Sequence, residues 1–198
     1  PQQQPVGHGA LGAFLGAGYP EFARPYLEEA IRVWPENAKA HATLGRLHLD
    51  ADRHVDAVRH LQRALQINPT APDAWNDLGG VAMSRGEYTA AESHFEKALS
   101  INPDLPYVLA NAGQAAMRLD KLPQAESLLR RALEIDPKDS DTTDRLGLLL
   151  ARQGRHAEGK ALFQRAIELD PKNASAINNI GVLYLETGQA QDARAAFE

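Results

Sequence analysis

Cysteine is absent from all 198 residues. This rules out disulfides, thiolate metal ligands and a cysteine nucleophile, while oxidising and reducing compartments both accommodate such a chain. Long apolar runs are missing too. No window approaches the stretch of about 18 hydrophobic residues that crossing a bilayer requires, so membrane insertion is not expected. Positive charge is in deficit, with 21 Lys and Arg against 26 Asp and Glu and a formal net charge of -5, so nucleic acid is not expected as a partner either. The motifs HExxH and GxSxG and any paired-carboxylate motif are lacking, and the chain is not read as an enzyme or as a holder of a metal or cofactor. What is present, 43 % hydrophobic and 24 % charged residues, suits a folded protein. The chain starts at Pro1 rather than at methionine, so it is expected to be a piece of a longer one.

The strongest positive signal is a repeat. Pro35, Pro69, Pro103, Pro137 and Pro171 stand at equal intervals of 34, and four such spacings define a unit. With the proline at position 32, the units are 4–37, 38–71, 72–105, 106–139, 140–173 and a partial 174–198, forming one array over 1–198. Position 8 is Gly45, Gly79, Gly113, Gly147 and Gly181; position 20 is Ala or Gly; position 24 is always large, from Leu27 through Phe95 to Phe197. Apolar spacings of three and four predict two amphipathic helices per unit, with small residues where their axes cross. Position 15 (Gly18, Asp52, Gly86, Asp120, Gly154, Gly188) carries residues that tolerate the left-handed conformation closing a helix. Pro72, Pro106 and Pro123 fit first helical positions, which need no amide donor.

Unit three fits WxxLGxxY…AxxxF…A…P through Trp75, Leu78, Gly79, Ala91, Phe95, Ala98 and Pro103, departing only at Ala82 in the tyrosine column. This resembles the tetratricopeptide repeat, strongly over 38–198. The resemblance implies an all-α fold, a right-handed α-solenoid of about six helix-turn-helix units with the first degenerate and the last truncated.

Several local motifs compete with that reading. Gly7, Gly9 and Gly12 spell GxGxxG, but no strand precedes them, and they fall in a shifted, glycine-weakened first helix of unit one. Pro20 and Pro25 are expected to delay or bend its second helix. "GRHAEGKA" matches GxxxxGK, yet Gly154 and Gly159 already serve the repeat and Ala161 replaces the magnesium-binding hydroxyl, so Lys160 is expected to face solvent. His41 and His48 share a helix face in a unit that also holds His54 and His60; half-buried packing is expected, since a metal would need a further converging ligand. The sequon at Asn173 coincides with a helix cap.

The resemblance also implies where partners bind. In tetratricopeptide arrays the first helices of the units line a concave groove that holds an extended peptide or a partner helix. Carried onto this sequence, candidate lining residues are Asn76, Asp77 and Met83; Tyr107, Asn111, Gln114, Met117 and Arg118; Arg145, Leu148 and Arg152; and Asn178 and Asn179. All lining positions of units two to six hold five basic and six acidic residues, so the groove favours neither sign overall. Locally, Asn111, Arg118, Arg145 and Arg152 form a patch suited to a carboxylate, beside an adaptable strip of Met83 and Met117. The opposing expectation is that these arginines pair with Asp141 and Asp144 or merely keep the wall wet. A chaperone-tail clamp is poorly matched by Asn76, Gly80, Asn111, Asp141 and Arg145. The asparagine ladder of O-GlcNAc transferase arrays is matched in part by Thr43, Asp77, Asn111, Arg145 and Asn179. The expected function is therefore a protein-protein interaction scaffold. The alternative is the docking arm of a larger enzyme such as an O-GlcNAc-transferase-like glycosyltransferase. Because "DARAAFE" stops in mid-helix, self-association through an uncapped apolar edge is a further expectation.

Overall fold

The computed structural model describes residues 20–197, which hold eleven α-helices and no strand. The GxGxxG segment and the first helix of unit one lie outside the described residues. Two compact units divide the chain after Asn102.

The first contains α1 (Pro20–Val33), α2 (Ala38–Asp50), α3 (His54–Ile67), α4 (Pro72–Ser84) and α5 (Tyr88–Ile101). Its α1 starts at the same repeat position as the later second helices and runs unbroken through Pro25. The expected delay is therefore absent, because Pro20 occupies a first-turn site where no amide is wanted. Two apolar clusters stabilise this unit: Ala23, Leu27, Ala40, Leu44 and Leu47 join α1 to α2, and Ala57, Leu61, Leu65, Ala74, Leu78 and Val81 join α3 to α4. The second unit contains α6 (Pro106–Arg118), α7 (Leu122–Ile135), α8 (Ser140–Arg152), α9 (His156–Leu169), α10 (Ala174–Glu186) and α11 (Ala190–Phe197). Here Phe163, Ile180 and Leu183 form a buried cluster.

The repeat columns acquire physical reasons. A Cβ on Gly45 would lie 2.6 Å from Leu61 Cγ, and one on Gly147 would lie 2.8 Å from Phe163 Cε1. In repeats two to five the glycine of the first helix, Gly45, Gly79, Gly113 or Gly147, is thus the seat of the large residue of the second helix. First helices end at position 13, and position 15 turns left-handed: φ is 58° at Asp52 and Asp120, 74° at Gly86, 77° at Gly154 and 75° at Gly188. The amide after each turn then reaches back five residues, as in Arg53 N–H to His48 O at 2.8 Å and Arg155 N–H to Leu150 O at 3.0 Å. The first helices start by two recipes. Asn37, Asp139 and Asn173 cap with their side chains, whereas Ala71 and Leu105 cannot and are followed by Pro72 and Pro106. The Asn173 amide also donates to Ser140 Oγ (2.7 Å) and Asp141 Oδ1 (3.2 Å). A buried nitrogen so engaged is a cap rather than a glycan acceptor.

Candidate functional site

In the second unit the first helices α6, α8 and α10 present the candidate wall. Asn111 and Arg145 occupy the same repeat position on adjacent helices, and Arg145 donates to Asn111 Oδ1 at 3.3 Å. The two acids expected to quench the arginines are otherwise occupied. Asp144 is buried and accepts from Ser175 Oγ at 2.6 Å and Asn179 Nδ2 at 2.8 Å, while Asp141 accepts from Asn173. The hydroxyl and amide donors both stand on α10, one repeat after α8. The pairing branch of that expectation is therefore corrected for Arg145 and Arg152. Among the described residues neither arginine makes an ion pair with any acid, and Arg152 is exposed.

The same wall carries Tyr107, 39 % exposed, with Arg118 and Asn178 exposed and Gln114, Leu148 and Asn179 half-buried. Leu148 belongs mainly to the core, packing against the Phe163 cluster. Met117 is buried, so the expected methionine strip loses one of its two members; Met83, half-buried, lies in the first unit.

Of the lining candidates in the first unit, Asn76 and Asp77 are also buried. Asp77 forms a short ion pair with Arg46 of the preceding repeat and accepts from Asn76 at 3.4 Å. Burial pushes the Asp77 carboxyl above its ordinary value, partly opposed by Arg46. These cross-repeat pairs were open to detection in the sequence. Arg46–Asp77 and Asp144–Ser175 are separated by 31 residues, Asp144–Asn179 by 35 and Asn111–Arg145 by 34. Complementary polar types one repeat apart, give or take a few residues, are their signal.

Two of the competing motifs are resolved by packing. Lys160 is half-buried with its Nζ 4.6 Å above the Tyr184 ring, which corrects the solvent-facing expectation. A Cβ on Gly159 would lie 2.9 Å from the Gly147 carbonyl oxygen, so that glycine serves helix crossing. His41 and His48 are more deeply buried than expected, 8 % and 7 % exposed, and the third imidazole is His60. The ring of His60 stacks on His48 at 17°, and its Nδ1 faces His41 Nδ1 at 3.1 Å. Among the described residues no group of three His, Cys, Asp or Glu is placed to hold a metal ion, and no helix is long and apolar enough to cross a membrane.

Comparisons with known proteins agree with the repeat. The family model described as the cilia and flagella-associated protein 70 C-terminal domain matches residues 10–198. No curated protein sequence matches the chain. Among solved structures it is similar to YrrB, described as a TPR protein with an unusual peptide-binding site: 25 % identity, TM-score 0.67, covering 86 % of this chain and 88 % of that one. It is similar in fold to PilW, a type IV pilus biogenesis factor, with 18 % identity, TM-score 0.85 and coverage of 94 % and 87 %. The PilF protein of Pseudomonas aeruginosa gives 18 % identity, TM-score 0.80 and coverage of 94 % and 85 %. The fold class is accordingly the all-α tetratricopeptide solenoid.

Proposed function

Since the chain belongs to the family of the cilia and flagella-associated protein 70 C-terminal domain, a tetratricopeptide family, we propose that it is a protein-interaction scaffold whose second unit binds an acidic peptide. The peptide, extended or helical, lies along the wall of α6, α8 and α10 and presents a side-chain or terminal carboxylate to Arg145 and Arg152. No residue is proposed as catalytic. The observation that carries this reading is electrostatic: among the described residues two guanidiniums on one helix have no acid of their own, while Asp144 accepts from Ser175 and Asn179 and Asp141 accepts from Asn173. A fork of N–H donors that is not already spent can take a carboxylate in bidentate geometry. Asn111 holds Arg145 in place, while Tyr107, Gln114, Arg118, Asn178 and Asn179 frame the patch. The similarity to YrrB supports a peptide as the kind of partner.

The test is fluorescence anisotropy with short synthetic peptides that carry Asp among aliphatic residues, set against otherwise identical peptides carrying Asn. Asp peptides should bind more tightly at low salt, and R145A/R152A should weaken them about tenfold or more. Equal binding of both sets, no binding of either, or unchanged affinity in the double variant would overturn the acidic-peptide reading.

A further inference from the structure

The first unit holds a feature with no counterpart in peptide binding. In repeat three, Trp75 donates its indole N–H to the carbonyl of Pro69 at 3.0 Å. Its ring stacks on His94 at 5.7 Å, and Lys97 lies above it. In repeat two the same three positions are His41, His60 and Arg63. His41 Nε2 bonds the carbonyl of Pro35 at 3.1 Å, so a titratable ring takes the place of tryptophan as the tie between one repeat and the next. His41 Nδ1 lies 3.1 Å from His60 Nδ1, and the His60 ring is 5.4 Å from both His41 and His48.

The proton inventory follows from these partners. A carbonyl only accepts, so His41 Nε2 carries hydrogen. Neutral His41 then has a bare Nδ1, which accepts from His60 Nδ1–H. One added proton can be shared along that bond. A second would set two N–H groups against each other at 3.1 Å and place like charges in contact. The charges that act on the trio are mostly repulsive: Arg24 from α1, Arg53 before α3, and Arg59 and Arg63 on α3, with Asp56 the one carboxylate that favours protonation. Arg63 is itself only loosely held by Glu36, at 3.8 Å. His48 Nδ1 is buried without a hydrogen-bond partner. A surface cleft of about 720 Å³ lined by His41 and His60 gives protons access.

We propose that His41, His48 and His60 form a proton-operated latch, which holds α1, α2 and α3 together at neutral pH and releases them on acidification. Burial lowers the affinity of all three imidazoles for protons, His60 to about 4. The unfolded chain, with ordinary histidines, binds protons first. Stability from the trio is therefore complete above about pH 6.5 and is lost as the pH falls toward about 4. Release would expose the Ala23–Leu27–Leu44–Leu47 cluster at the α1–α2 junction.

Amide hydrogen exchange of the full chain, followed from about pH 7 to about pH 4.5 and corrected for intrinsic rates, tests the latch. Protection in α1–α3 should fall about tenfold or more, a figure reduced for the partial exposure of His60, while α8–α10 hold theirs. H41W, which copies repeat three, and H60Q, which keeps a hydrogen-bonding side chain, should each flatten the fall. Acid loss unchanged in a folded variant, or equal loss in both units, would overturn the proposal. If neither variant folds, imidazole C–H shifts of the wild-type chain decide: the trio titrating near 6.5 refutes it, and a resonance pair titrating well below that supports it.

Discussion

A single methyl group has opposite consequences at two glycines of these helices, and the difference is measurable. On Gly159 it would meet the Gly147 carbonyl oxygen at 2.9 Å and the Ala151 backbone nitrogen at 3.2 Å. Backbone cannot swing aside as a side chain can, so the α8–α9 crossing must widen. Gly80 on α4 would place its methyl 3.6 Å from Leu49 Cδ2, an ordinary van der Waals distance. Gly159→Ala should therefore destabilise the protein by about 1–3 kcal/mol despite the gain in helix propensity. Gly80→Ala should stabilise it by about 0.5–1 kcal/mol. Urea midpoints at constant slope check both, and a stabilised Gly159→Ala would contradict the crossing geometry. At this scale the sequence is legible where a residue type has one reason to be there. Gly159 stands in a column of alanines, and its small size was readable. That Asn76, Asp77 and Met117 are covered while Arg152 is not could not be read, because their repeat positions are the ones a groove-lining pattern marks equally.

Each helix pair is closed by the same device, a left-handed residue two places after the first helix. Asp52 and Asp120 adopt φ of 58° at a steric cost that glycine avoids, whereas Gly86, Gly154 and Gly188 adopt 74–77° freely. No heavy atom lies within 4 Å of a Cβ built on Gly86, Gly154 or Gly188, so packing does not complicate the comparison. Gly154→Ala should cost about 1 kcal/mol, and Asp120→Gly should gain up to about that amount, less the entropy glycine adds to the unfolded chain. Thermal melts of the two variants at equal concentration provide the check. Helix boundaries were legible here to within two residues. The period places the turn, but whether a helix is closed at position 13 or 15 depends on where the reaching-back amide finds its carbonyl.

For the whole molecule, stability in a repeat protein is a sum of terms between neighbours rather than one shared core. The separate apolar clusters of the first unit, around Leu44 and around Leu61, and the cluster around Phe163 in the second unit, embody this. A lesion should then stay local. Gly159→Ala is expected to lower hydrogen-exchange protection in α8–α10 and to leave α2 and α3 near wild-type values; an equal drop throughout would point to a single cooperative unit. The 34-residue period by itself determined the fold class, the pairing of helices and the packing of small residues against a large one within the repeats. Each of these is a local consequence of residue size and spacing, repeated until it is unambiguous. The tertiary structure alone decided which charges remain available. Asp144 accepts from Ser175 and Asn179, Arg145 and Arg152 have no acid partner among the described residues, and His60 turns in between His41 and His48. Those outcomes depend on side chains of different helices competing for the same partners within a few ångströms, and periodicity carries no information about which competitor wins.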